Sequence, residues 1–210
     1  MKTAILFDLD GTLLDTLGDL QLAVNRALAE FDYPPRTLEE VRRFVGNGAG
    51  QLLKLAVPEG ADPAPVLAAF QRIYRANCQE LTAPYPGIPQ ALEILGKEYP
   101  LAIVSNKPDA AVKTLCAQFF PGIYARGESA ECPRKPAPDM VHAAMAALGV
   151  ETCLYVGDSE VDVLTAKNAG VPCLTVLWGF RDREDLESAG ATHFCTDPQE
   201  LVDNILELMR

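Results

Sequence analysis

The sequence is poor in the residues that several chemistries require. It holds two histidines, His142 and His193, and six cysteines with no Cys-x-x-Cys pair among them. That scarcity excludes a zinc site of the usual spacing, and leaves the cysteines as buried, reduced thiols. A thiolate phosphatase needs an arginine six residues beyond its cysteine to grip the phosphoryl group. Those six positions hold Pro84, Gly122, Pro138, Ser159, Gly179 and Leu201. No Arg-His-Gly provides a histidine nucleophile, and no Gly-x-x-x-x-Gly-Lys-Ser/Thr loop provides a nucleotide cradle. Long hydrophobic runs are missing too. The opening strand-like run, Ala4-Ile5-Leu6-Phe7, is too short for a signal-peptide core, and no later segment could span a bilayer, so a cytoplasmic location is expected. Positive charge is scarce: 18 Lys and Arg face 29 Asp and Glu, a formal net charge of −11. Nucleic acid and anionic membrane surfaces are therefore excluded as partners.

What remains is a composition suited to a packed core, 49% hydrophobic and 22% charged over 210 residues. Residues 3–8 read as a buried strand bounded by Gly11. From about Leu17 to Leu81 only helical periodicity is present. Leu20, Val24, Ala27, Leu28 and Phe31 share one face, and Tyr33-Pro34-Pro35 ends that helix. Thr37 and Glu40 form a capping-box pattern ahead of Val41 and Phe44. Gly46-Asn47-Gly48 closes that helix, Leu52, Leu53 and Leu55 open another, and Asp62 to Leu81 supplies a last one. Beyond Pro84-Tyr85-Pro86-Gly87 the rhythm becomes helix then strand. Strands are expected at 101–105, 153–157, 172–177 and, weakly, 192–195, with helices near 109–119, 138–148, 160–169 and 198–209. The expected fold is α/β: a Rossmann-like parallel sheet in residues 1–15 and 84–210, with a small all-helical domain, 16–83, inserted after the first strand. In such sheets function collects at the carboxyl ends of strands.

Those ends carry the informative residues. The first strand ends in Asp8-Leu9-Asp10-Gly11-Thr12, so two carboxylates at i and i+2 reach one cleft if the chain turns at Gly11. The second ends in Ser105-Asn106-Lys107, a later loop holds Lys135-Pro136, and the strand of Tyr155 and Val156 ends in Gly157-Asp158-Ser159-Glu160-Val161-Asp162. Singly, each has an ordinary reading. Asp-Gly is a common turn, Ser at a strand end caps a helix, and acids at 160 and 162 suit a helix N-terminus. Asn106 and Lys107 could simply cap the helix beyond Pro108, and the two histidines read as packing or surface residues.

In this order the set resembles the haloacid dehalogenase superfamily over essentially the whole chain. The resemblance implies an Mg²⁺-dependent enzyme acting on a small phosphate ester, with Asp8 as nucleophile and Asp10 as acid and base. Asp8, Asp10 through its carbonyl, and Asp158 would hold the metal; Ser105, Asn106 and Lys135 would bind the phosphoryl group; Asp162 would support Lys135 or a metal-bound water. Metal and lysine together would supply the local positive charge that the overall −11 lacks. Asp10 matters for the choice within the superfamily, because its dehalogenases lack an acid two residues after the nucleophile. The helical block is similar to the cap of the phosphoglycolate phosphatase-like subfamily. Arg43, Gly46 and Asn47, in Arg42-Arg43-Phe44-Val45-Gly46-Asn47-Gly48, are the candidate specificity residues, against the simpler reading of a glycine-ended turn. A β-phosphoglucomutase-like mutase, a pyrophosphatase or sugar-phosphate phosphatase, and an inactive phosphate-binding regulator are the alternatives. A monomer or homodimer is expected.

Overall fold

The structure is a computed structural model describing residues 2–77 and 79–209; Cys78, among the thiols expected to be buried, lies outside the described residues. The chain divides into two compact units, Met1–Leu14 with Pro84–Arg210, and Asp15–Ala83.

The first unit is built on β1 (Thr3–Phe7), β4 (Leu101–Pro108), β5 (Tyr124–Glu128), β6 (Thr152–Gly157), β7 (Cys173–Val176) and β8 (Phe194–Cys195). These form one sheet in the order β5-β4-β1-β6-β7-β8, and every strand pair in it is parallel. Its helices are α5 (Ile88–Leu95), α6 (Asp109–Phe119), α7 (Asp139–Leu148), α8 (Glu160–Ala169), α9 (Arg183–Ser188) and α10 (Pro198–Leu208). Parallel strands need crossovers, and crossovers cover both faces, which is why β1 is apolar from Ala4 to Phe7 rather than alternating. Ile5 and Phe7 pack into one core with Ile103, Val156, Leu174 and Leu201, while Ala4 and Leu6 join the opposite core with Val104, Tyr155 and Met140. β1 lies between β4 and β6: the chain runs from β1 through β4 to β5 on one side, then crosses back to β6, β7 and β8 on the other. The carboxyl ends of these three strands flank the switch point where α/β sheets bind ligands.

The second unit contains α1 (Leu17–Ala29), α2 (Leu38–Phe44), α3 (Gly48–Ala56) and α4 (Pro63–Asn77). Its core gathers Leu20, Val24, Leu28, Val41, Leu53, Val66, Phe70 and Ile73. The Thr37–Glu40 capping box is present: the Glu40 amide donates to Thr37 Oγ1 at 3.2 Å and the Thr37 amide to Glu40 Oε2 at 2.7 Å. The periodicity carried the last helix to Leu81, yet α4 ends at Asn77. Instead of continuing a helix, the amides of Leu81 and Thr82 donate to the buried carboxylate of Asp19, at 3.0 and 2.8 Å. The short strands β2 (Leu14–Asp15) and β3 (Ala83–Pro84) pair where the chain passes between units.

Four elements lack an apolar signal in sequence. β5 carries Arg126, Gly127 and Glu128 and is an edge strand held by backbone pairing with β4. The six-residue α9 buries a single side chain, Leu186, and β2–β3 is too short to show a period.

Candidate active site

Asp8 is the first residue beyond β1. Its amide extends the ladder by donating to the Val156 carbonyl at 2.8 Å, so the carboxylate emerges at the sheet's edge with its backbone fixed. The chain then turns sharply, with the amides of Leu13 and Leu14 both donating to the Leu9 carbonyl. Gly11, at φ +86°, makes the turn possible, and a Cβ there would lie 2.3 Å from Asp158 Oδ2.

Lys135 is nearly sealed from solvent, at 4% exposure, and sits between two carboxylates: its ammonium donates to Asp8 Oδ1 at 2.6 Å and to Asp162 Oδ1 at 2.7 Å. Asp162 is fully buried and also accepts from Tyr155 Oη at 3.0 Å, Ser159 Oγ at 2.6 Å and the Ser159 amide at 3.1 Å. Both of its oxygens are thus committed to holding the start of α8 and the lysine. Asn106, named from sequence as a phosphate contact, has its side-chain amide on the backbone of residue 135. Its Oδ1 accepts from the Lys135 amide at 2.7 Å and its Nδ2 donates to the Lys135 carbonyl at 3.2 Å. The side chain therefore clamps the lysine loop.

Asp158 follows β6 directly. Its Oδ1 accepts from Thr12 Oγ1 at 3.2 Å and its Oδ2 from the Phe180 amide at 2.7 Å. Gly179 lets the chain after β7 approach, since a Cβ there would stand 2.3 Å from Asp158 Cβ. The rim is tied by Trp178 Nε1, which donates to the Thr12 carbonyl at 3.0 Å, and by the Arg181–Glu160 ion pair at 2.7 Å.

Asp10 is held by residues of β4. Ser105 Oγ donates to its Oδ2 at 3.2 Å, and the Lys107 ammonium donates to its Oδ1. By local pattern alone Lys107 reads as a cap of the helix beyond Pro108. Strand alternation held the missing signal: residues 105 and 107 point one way and 106 the other, which is how the structure distributes them between Asp10 and the Lys135 loop.

Charge balance marks the spot. Oxygens of Asp8, Asp158 and Asp162 lie within 4.8 Å of one another, all three residues buried. Burial, only partly countered by Lys135 and reinforced by the charges of Asp162, Asp158 and Asp10, holds the Asp8 carboxyl well above its ordinary range. Burial and the neighbouring Asp162 push Asp158 up to about 7. Burial disfavours the Lys135 ammonium, but Asp162 and Asp8 outweigh it and raise its pKa. One lysine for three acids leaves a deficit of positive charge, and an oxygen-only donor set of this kind suits a hard divalent cation. With Asp162 saturated by Lys135, Tyr155 and Ser159, Asp8 and Asp158 are the carboxylates that would reach it.

Arg43, Gly46 and Asn47 lie in the other unit, at the α2–α3 junction. Arg43 Nε donates to Glu39 at 3.0 Å, Gly46 adopts φ +121°, and Asn47 precedes α3. His142 and His193 are exposed. The five cysteines among the described residues are free thiols, and burial pushes Cys116, Cys153, Cys173 and Cys195 up to about 12.

A single family accounts for this fold and site. Residues 5–176 match the family model of the haloacid dehalogenase-like hydrolases, and the chain belongs to that family. Among curated relatives, a phosphoglycolate phosphatase of Pseudomonas putida is 36% identical over 219 residues, covering 98% of this chain and 78% of its own. A phosphoglycolate phosphatase of Cereibacter sphaeroides is 39% identical over 187 residues, covering 84% and 86%. A crystal structure from Lactobacillus delbrueckii subsp. bulgaricus, provisionally assigned as a phosphoglycolate phosphatase, superposes with a TM-score of 0.92 at 36% identity, covering 98% and 99%. Among the described residues no helix is long and apolar enough to cross a membrane.

Proposed function

We propose that the protein is an Mg²⁺-dependent phosphatase of a small phosphate monoester, with phosphoglycolate as its substrate and a covalent aspartyl-phosphate on Asp8 as its intermediate. The observation that carries the reading is the pairing of roles at one strand end. Asp8 is buried against Lys135 among an excess of carboxylates, and Asp10, two residues on, is held separately by Ser105 and Lys107.

In the first half-reaction an Asp8 oxygen bonds to phosphorus as the bond to the ester oxygen breaks. Asp10 gives its proton to that departing oxygen, which leaves as an alcohol. In the second, water attacks phosphorus, Asp10 takes back a proton, and the bond to Asp8 breaks to release inorganic phosphate. Lys135 and the Ser105 hydroxyl neutralise and orient the phosphoryl oxygens. Asp8, the Asp10 carbonyl and Asp158 would hold Mg²⁺, which supplies charge neutralisation at the phosphoryl group. Asp162, Tyr155 and Asn106 keep Lys135 in place.

The substrate reading rests on the curated relatives' names and on a helical unit like that of the phosphoglycolate phosphatase-like subfamily. Arg43, Gly46 and Asn47 are proposed as its selectivity residues, and the free thiols suit a reducing cytoplasm. The test is a panel of phosphate esters with Mg²⁺. A clear preference for phosphoglycolate over sugar phosphates and pyrophosphate is expected; no preference would overturn the substrate while leaving the chemistry. Release of free phosphate, not an isomerised ester, distinguishes a phosphatase from a mutase.

A further inference from the structure

Two groups from β4 hold Asp10, one on each carboxylate oxygen: Ser105 on Oδ2 and Lys107 on Oδ1. They cannot both persist through the proposed reaction. A serine hydroxyl has one proton to donate, and the Ser105 hydroxyl is also the group expected on a phosphoryl oxygen. When substrate arrives, that donation turns from Asp10 to phosphate, and Oδ2 is released toward the leaving oxygen. An ammonium has three protons and no such conflict. We infer that Lys107 is the positioning residue of the acid–base step, anchoring Oδ1 of Asp10 throughout turnover so that Oδ2 faces the departing oxygen.

The backbone is built to present it. The β4–β5 register shifts between Ser105 and Pro108, and the Lys107 amide donates to Ser105 Oγ at 3.2 Å. A Cβ at residue 127 would stand 2.5 Å from the Lys107 carbonyl oxygen, so the chain passes there because residue 127 is glycine. The Lys107 side chain is 9% exposed and reaches Asp10 along a buried path, unlike the surface Lys113, whose side chain is 63% exposed in its pair with Asp109.

The inference rests on the reading of Asp10 as the acid, and the experiment separates the two. An alkyl phosphate needs a proton on its leaving oxygen; a 2,4-dinitrophenyl phosphate does not, because its phenolate leaves unaided. The readout is kcat/KM, which reports the phosphorylation step, for Lys107→Met on both esters, with folding checked by thermal melting. If Lys107 positions the acid, the alkyl ester should lose about 100-fold and the aryl ester less than about 5-fold, the alkyl loss lying at the lower edge of what a general acid supplies. Equal losses on the two esters overturn the proposal, as expected of a merely structural lysine. Should Lys107→Met fail to fold, Lys107→Gln carries the same comparison. Asp10→Asn is the control. If it discriminates between the esters and Lys107→Met does not, Lys107 alone is misassigned; if it does not discriminate either, the acid reading of Asp10 falls first.

Discussion

Both units of the molecule bury aspartates, Asp19 in the helical unit and Asp8, Asp158 and Asp162 in the α/β unit, and the two sets are buried for opposite reasons. In the helical unit Asp19 accepts from the Leu81 and Thr82 amides and from Thr82 Oγ1, at 3.0, 2.8 and 2.6 Å, all neutral donors from one stretch of chain. It works as a clasp, joining the start of α1 to the segment after α4. In the α/β unit Asp8, Asp158 and Asp162 crowd together, with the Lys135 ammonium bonded to Asp8 and Asp162, and burial raises the pKa of Asp8 and Asp158. A carboxylate matched by neutral donors stabilises a fold; carboxylates in excess of their cations create a demand for charge that a metal and a phosphoryl-transfer step can use.

The sharpest way to break this contrast is Asp8→Asn. The side chain keeps its shape but loses its nucleophilic oxygen, so turnover of phosphoglycolate with Mg²⁺ should fall by about 10⁴-fold or more, as for other covalent nucleophiles. The check is kcat under saturating substrate. Retained activity would remove Asp8 from the chemistry and leave the acid cluster without a function.

Lys135→Met comes next, and here the effect is on stability as well as rate. Removing the ammonium leaves Asp8 and Asp162 facing each other in a buried site. The cost should be about 3–5 kcal/mol, the range for breaking a buried ion pair from one side. Denaturant unfolding without metal measures it, and Mg²⁺ should recover part of the loss. A loss under about 1 kcal/mol would mean the pair is screened as a surface pair is.

The same excess of charge sets a pH dependence. Asp158 has a folded pKa of about 7 against an ordinary 3.8. Below about pH 4 the carboxyl is protonated in both states. Between that value and about 7 the unfolded chain gives up a proton that the folded protein keeps, so metal-free stability falls as pH rises, and levels above 7. The drop should be on the order of a few kcal/mol, and added Mg²⁺, which binds the ionised form, should raise the melting temperature more at pH 8 than at pH 5. Asp158→Asn should weaken both trends, with the slope that remains belonging to Asp8, whose pKa burial also raises. If the full slope of the wild-type protein survives in that variant, Asp158 is not one of its sources.

How much of this could be read from the chain depends on the kind of signal. Asp8 and Asp158 directly follow apolar strands, Ser105 closes the apolar run of β4 and Lys135 precedes a proline, so the local pattern singles each of them out. Asp162 was visible as one helical turn beyond Asp158, though its bonds to Lys135 and Tyr155 were not. Lys107 was missed because a lysine after Ser-Asn and before Pro reads locally as a cap, and its partner lies 97 positions away. The Asp19 clasp was missed for the same reason: helical periodicity carried α4 to Leu81, and nothing near Leu81 announces a carboxylate 62 residues earlier. Local pattern reports strands and helices; it does not report which buried polar groups satisfy one another across the fold.

Asp19→Ala therefore provides the smallest and most discriminating comparison. It strips the acceptor from the Leu81 and Thr82 amides and from the Thr82 hydroxyl, and buried donors left unmade cost about 1–3 kcal/mol. Unlike Lys135→Met, it leaves no excess charge behind, so Mg²⁺ should recover none of the loss and the metal-dependent rise in melting temperature should match the wild type. Denaturant unfolding with and without Mg²⁺ measures both quantities on one sample. If Asp19→Ala instead abolished the Mg²⁺-dependent rise, the distinction between a clasping carboxylate and a charge-demanding one would fail. Asp19 and the acid cluster would then have to be treated as parts of one coupled system.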